Sequence, residues 1–417
     1  MPDVLLVCGV GAGMDRSLAA IKDLDVDVFV VTDVATDRIR HAASTIVIAD
    51  PTDPDAVVSA LRTAGIRALD GVLSLGVDNP PVVARLCRLF GCPGLDEETA
   101  NDCTQKDRRI RILSASGLFT PRHVTASNLR EALAGLESLT LPVVVKPTDQ
   151  SGSVGVAKID SMATAPALVA EALQLARSGR VLLEQFLVGT EHTVAGLSVD
   201  DEVFFSGFSD RDYGRKELFS PYFFERGELV PTALDPITVD NVLRTVASGV
   251  RALRLAPAVF NTDVLITSSG DVVLIEVTGR MTGARIATDV IPLATGVDLL
   301  PNAVRLALGR PIDVSELKAT RNDAVVQRYL PAQGGIVDWI GDLESVGKLP
   351  GVFDLFWGMD LRVGQELPTY RSGHDILAGV IASGSCLAEA EEAADHALAC
   401  VPLRVTNART AAYGDHR

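Results

Sequence analysis

Short apolar runs alternate with amphipathic stretches through roughly the first 95 residues. VLLVCGV reads as a buried strand and MDRSLAAIKDL as a helix with one apolar face. VDVFVVTD and ALDGVLSLG repeat the strand pattern, and DPDAVVSALRTAG and PPVVARLCRLFG repeat the helical one. β-branched runs separated by helical stretches predict a parallel, doubly wound sheet. Residues 101–117 predict one helix, with Lys106 near its start. LPVVVKP and GVAKI predict a strand–loop–strand unit, and VLLEQFLVGTEHTVAGLSVDDEVFFSGFSD predicts antiparallel strands. Residues 210–230 carry charge, aromatics, Gly and Pro without periodicity, as expected of a long loop near a site. A helical pattern over residues 235–255 leads to an apparent hairpin over 261–280. From about residue 323 the chain turns strand-rich, with a helix near its end.

Composition narrows the function. With 417 residues, 47% apolar and 22% charged, the chain suits a folded protein of several domains. No apolar run approaches about 18 residues, so no membrane partner is expected. The start lacks a basic leader and reads as a first strand. Six scattered cysteines predict reduced, structural thiols and a cytoplasmic location. A net charge of −16 argues against nucleic acid and anionic membrane. It leaves room for ATP, whose phosphates need only a few local cations.

Two strings carry the chemistry. In the first, Lys146 ends an apolar strand, and Ser151, Gly152, Ser153 and Gly155 follow in a small loop. A cation beside bare backbone N–H groups suits polyphosphate; read alone, the loop is equally a plain turn. In the second, Asp263 and Glu276 occupy neighbouring strands of the hairpin, with Arg280 just beyond. An unpaired carboxylate inside VVLIEV would be costly, and two carboxylates sharing Mg²⁺ with phosphate oxygens resolve that cost. Arg280 suits a phosphate or carboxylate. Glu184 can accept a purine amino group while Phe186 and Leu187 sandwich the ring, or Glu184 is a surface charge and the two apolar residues are core; Glu191 can reach a ribose or the metal's outer shell. Gly9, Gly11 and Gly13 form a GxGxG turn, open to a dinucleotide reading or to a tight strand-to-helix turn with no cofactor.

With these motifs in order, the chain resembles the ATP-grasp superfamily, in particular the carboxylate–amine ligase branch that includes L-amino acid dipeptide ligases. IEVTGRMTGARIATDVIPLATGVDLL is similar to that branch's metal and substrate segment. The resemblance implies a Rossmann-like pre-domain (1–98), an ATP-grasp domain (99–318) hinged near 184–187, and a small C-terminal α+β domain (319–417). It implies that Lys106 and Lys146 hold the phosphates and that the flap over 151–155 closes on them. Asp263 and Glu276 would bind Mg²⁺ or Mn²⁺, and Arg280 would stabilise the transferred phosphoryl group. The implied reaction activates a carboxylate as an acyl phosphate and condenses it with an amine. Both substrates would be small molecules, in an enzyme that is commonly a homodimer. Thr278 stands where many members carry Asn, and Asn261 and Asp263 stand where the dipeptide ligases often carry His and Glu. These departures bear on the second metal and on substrate choice, for which Arg285, Asn261 and Thr278 are further candidates. The alternatives are a carboxylase or purine-pathway ligase, a non-catalytic ATP-binding protein, and an NAD(P) enzyme using the first domain.

Overall fold

A computed structural model describes residues 2–406. The first unit is a parallel sheet of β1 (Asp3–Val10), β2 (Val26–Thr32), β3 (Thr45–Ile48) and β4 (Gly71–Leu75), in the order 3-2-1-4. The expected strands and helices form, and the TIVI run adds β3. Helix starts follow local chemistry. The Asp53 carboxylate accepts the N–H groups of Asp55 and Ala56 ahead of Pro54–Thr63, and Asp235 accepts those of Ile237 and Thr238 ahead of Pro236–Ala252; proline opens both helices.

The second unit is a small antiparallel sheet of β5 (His123–Ala126), β6 (Val143–Pro147), β7 (Ala157–Ile159) and β8 (Val181–Gln185), in the order 5-8-6-7. Alternation along β6 sends Val143 and Val145 into this unit's core and leaves Val144 and Lys146 on the opposite face.

An eight-stranded sheet forms the remainder. It contains β9 (Gly189–Val199), β10 (Glu202–Asp212), β11 (Gly227–Val230), β12 (Ala258–Thr267), β13 (Val272–Thr278) and β14 (Ala324–Pro331). A separate ribbon pairs β15 (Ile336–Ile340) with a last strand; β16 (Val352–Trp357) and β17 (Ile376–Gly384) complete the large sheet, and β18 (Leu403–Thr406) completes the ribbon. The order 13-12-9-10-11-14-17-16 crosses the expected boundary at 318/319, through Leu229↔Val326 and Val230↔Val325. That part of the expected third unit beyond residue 406 lies outside the described residues.

Two local expectations change. Residues 101–117 form two helices, Glu97–Thr104 and Lys106–Ala115, because Gln105 is extended and Lys106 N–H donates to the Thr148 carbonyl at 2.8 Å. The irregular loop shrinks to residues 213–226, because β10 runs on to Asp212 and β11 begins at Gly227.

One face of β9 carries Leu197 into the core shared with the first unit and, farther along, Glu191 into a cleft. The other face packs on Pro236–Ala252 through Val242, Val246 and Val250. Among the described residues no helix is long and apolar enough to cross a membrane.

Candidate active site

The cleft lies between the small antiparallel sheet and the eight-stranded sheet, with about 1150 Å³ of empty space including its open mouth. Lys106, Lys146, Ser151, Gly152, Ser153, Glu184, Phe186, Leu187, Glu191, Asp263 and Glu276 all line it. Residues more than a hundred positions apart in the chain thus converge as their motifs anticipate.

The acidic hairpin is built by register. Asp263 lies directly opposite Glu276, and Asn261 opposite Thr278, so all four share one face. A β-bulge follows, since Val264 pairs with Leu274 and leaves Ile275 extra. The Ile275 carbonyl accepts from Arg109 Nη2 at 3.2 Å, and Arg109 is buried. The bulge therefore brings a guanidinium beside the carboxylates. Burial pushes the Glu276 carboxyl up, but Arg109, Arg280 and Lys106 outweigh it and hold the group below its usual range.

On the other wall, Lys146 pairs with Glu184 at 2.5 Å, which engages the acid expected at a purine amino group. The Lys106 ammonium donates to the Gln150 carbonyl at the foot of the glycine loop. Burial lowers its pKa, against the pull of Glu276 and Asp78. Gly152 and Ser153 both take φ of +60°, a left-handed turn that exposes backbone to the cleft. Phe186 stacks near Phe223, with ring centroids 6.2 Å apart, and the Lys158 ammonium sits 4.8 Å from the Phe186 ring.

Arg280 sits beside the cleft, 3.3 Å from Asp78 and 3.5 Å from Glu276. Thr278 Oγ1 donates to the same Asp78 oxygen at 3.3 Å, and Asn261 Nδ2 donates to Asp263 at 3.2 Å. Asp78 follows β4, which adjoins β1 where the sheet order reverses, the usual crevice for ligands in such sheets.

Two expected site residues do other work. Gly155 is absent from the cleft wall; its φ of +70° turns the chain tightly against Pro147. Arg285 is fully buried and spends its guanidinium on Asp289 at 2.7 Å and Asp354 at 2.6 Å, over the Phe356 ring. A side chain held this way is not presented to a substrate. The GxGxG turn is packed by the chain itself. Gly11 N–H donates to the Leu75 carbonyl at 2.7 Å, and a Cβ on Gly13 would lie 3.0 Å from Arg285. This favours the tight-turn reading.

The sequence reading missed Arg109, Arg211, Tyr213, Phe223 and Asp78. Arg211 matters most, because it binds Asp263 at 2.5 Å and also Glu225. Burial lowers its pKa, but Asp263 and Glu225 dominate and raise it far above the ordinary value. Strand phasing could have found it, since Arg211 pairs with Glu191 across β9 and β10. No group of three or more His, Cys, Asp or Glu suited to a metal occurs among the described residues. The Asp263–Glu276 pair nevertheless fits Mg²⁺, which takes one or two protein carboxylates and completes its shell with phosphate and water oxygens.

The D-Ala–D-Ala ligase C-terminus family profile matches residues 118–282, and the profile of L-amino acid ligase C-terminal domain 2 matches residues 328–406. The uncharacterised protein y4rH of Sinorhizobium fredii is 28% identical over 356 residues, 82% of this chain and 68% of that protein. A D-alanine–D-alanine ligase of Ectopseudomonas mendocina is 37% identical over 166 residues, 34% of this chain and 52% of that ligase. The chain thus matches only about half the length of that ligase. The crystal structure of L-amino acid ligase from Bacillus licheniformis shares the fold at a TM-score of 0.80 and 21% identity, over 97% of this chain and 99% of that one. With its cleft, its paired carboxylates and both ligase profiles in chain order, this chain belongs to the ATP-grasp superfamily, in its branch of ADP-forming carboxylate–amine ligases.

Proposed function

We propose that this protein uses ATP to join the carboxylate of one amino-acid-like molecule to the amine of another, releasing ADP and phosphate. The observation that carries this reading is the meeting of Lys106, Lys146 and the residue 151–153 turn with Asp263 and Glu276 in one cleft. Five basic side chains (Lys106, Arg109, Lys146, Arg211 and Arg280) surround it in a chain of net charge −16. Set among the carboxylates of Glu184, Glu191, Asp263 and Glu276, these cations suit a polyphosphate that arrives with a divalent metal.

In the proposed reaction a substrate carboxylate oxygen attacks the γ-phosphorus of ATP, and the bond from that phosphorus to the β,γ-bridging oxygen breaks, giving ADP and an acyl phosphate. The amine then attacks the acyl carbon, loses a proton and expels inorganic phosphate. Lys106 and Lys146 neutralise charge on the phosphates, and backbone N–H groups of the turn orient them. Asp263 and Glu276 would hold Mg²⁺, or Mn²⁺ in its place, which when bound screens charge between the transferring oxygens. Arg280 neutralises charge on the transferred group. Asp78 beside Arg280 suits an α-amino acid, with its ammonium at the acid and its carboxylate at the guanidinium.

The test combines ATP, Mg²⁺ and pooled amino acids, follows phosphate release, and identifies condensed products by mass spectrometry. Amine-dependent release with an amide product is expected. Release that requires bicarbonate instead would assign a carboxylase. Absence of release across broad pools, with ATP still bound, would assign a binding protein.

A further inference from the structure

The phosphate turn is gripped by a segment far along the chain. Gly373 N–H donates to the Gly152 carbonyl at 2.9 Å. The His374 ring lies against Gly152, where an added Cβ would sit 3.2 Å from Nε2. Three residues before Gly373, Tyr370 Oη donates to the Phe223 carbonyl at 2.9 Å. The Tyr370 ring packs edge-on against Phe219 and Phe224, with centroids 5.2 and 5.0 Å away. Phe223 belongs to the irregular loop and lines the cleft opposite Phe186. One short turn therefore touches both elements that cover the cleft.

The turn is rigid enough to act as a mount. Tyr370 N–H donates to the Ala332 carbonyl at 2.9 Å, and Ala332 N–H donates to the Asp375 carbonyl at 2.8 Å, which fixes both ends beside β14. Inside it, the Asp375 carboxylate accepts the N–H groups of Arg371 and Ser372 at 2.8 and 2.9 Å. Arg371 adds an ion pair of 3.0 Å to Glu171, on a helix of the small sheet's unit.

We propose that residues 370–375 are a positioning element that holds the phosphate turn and the Phe219–Phe224 segment in their cleft-covering places. This rests on the nucleotide reading above only for what the cleft binds. The grip itself is independent of it. Gly373 and Tyr370 touch no reacting atom and act through Gly152 and Phe223. Their loss is felt mainly as weaker nucleotide binding, with the chemical step largely preserved.

Gly373→Pro removes the donor at the first position of a short helical turn and sets its ring Cδ against the Gly152 carbonyl, so the grip is broken by the lost hydrogen bond and by contact alike. Gly373→Ala keeps the N–H, its Cβ meeting the Gly152 oxygen at 3.3 Å, and serves as the conservative rescue. Tyr370→Phe deletes one hydroxyl and keeps the ring. Hydrogen exchange in the nucleotide-free protein is expected to quicken over residues 151–156 in Gly373→Pro and over 219–224 in Tyr370→Phe. The change is about five-fold in Tyr370→Phe, the weight of one hydrogen bond, and at least that in Gly373→Pro. KM for ATP is expected to rise by a similar factor, with kcat within about two-fold, and Gly373→Ala should track the wild type. Wild-type exchange in both variants overturns the proposal, as does a loss confined to kcat. If the turns loosen as expected while ATP protects neither of them in the wild type, the grip stands and the nucleotide reading falls.

Discussion

Asp263 is contested. Its carboxylate accepts from Arg211 at 2.5 Å and from Asn261 at 3.2 Å, and it faces Glu276 across the hairpin. Asp263→Asn removes one of the two paired acids proposed to hold Mg²⁺. Mn²⁺ affinity, read by electron paramagnetic resonance without substrate, should fall at least about ten-fold. Unchanged affinity would move the metal elsewhere. Glu228 gives a second residue-level expectation. It is buried, accepts from Thr193 at 3.0 Å and from Ser209, and burial together with Glu225 pushes its pKa from 4.5 up to about 8. The folded protein therefore binds a proton that the unfolded chain releases. Its contribution to stability is complete below pH 4.5 and is lost as pH rises through about 8. Glu228→Gln should flatten that decline in urea titrations taken between those limits.

Elements decide how such residues meet. A hairpin alone would place Asp263 and Glu276 together, but the bulge at Ile275 is what engages Arg109. The break at Gln105 similarly places Lys106 at the start of its own helix, in reach of Gln150. Close strand packing also fixes glycines. Gly227, at φ of +151°, opens β11 where an added Cβ would lie 1.8 Å from the Gln327 carbonyl oxygen. Gly227→Ala should cost about 3 kcal/mol, because the backbone must move and the residue is strained as well. The check is a lower urea midpoint with an unchanged slope.

At the scale of the molecule, Arg285 is the joint. It approaches Gly13 of the first unit, binds Asp289 on its own segment and reaches Asp354 of β16. Arg16 of the first unit meets the same Asp354. Arg285→Met leaves Asp289 without its ion-pair partner and Asp354 with Arg16 alone, and should cost about 3 kcal/mol. ATP and amino-acid KM values should hold if the role is structural. A substrate role would instead raise a KM at unchanged stability, so melting curves beside kinetics separate the two.

Much of this was legible along the chain. Alternation and helical periodicity marked most strands and helices, and local chemistry marked Lys146 with its glycine turn and Asp263 with Glu276. These depend on neighbours a few residues away, so the sequence alone determined them. Arg211, Arg109 and Asp78 were not legible. Their roles arise from strand register, a bulge and the packing of one sheet unit on another, none of which leaves a local mark. The same holds for the sheet that runs past residue 318 and for Arg285, whose neighbourhood is assembled from three distant segments. Only the tertiary structure decided which charges share the cleft, because Coulomb forces and close packing act through space and take no account of separation along the chain.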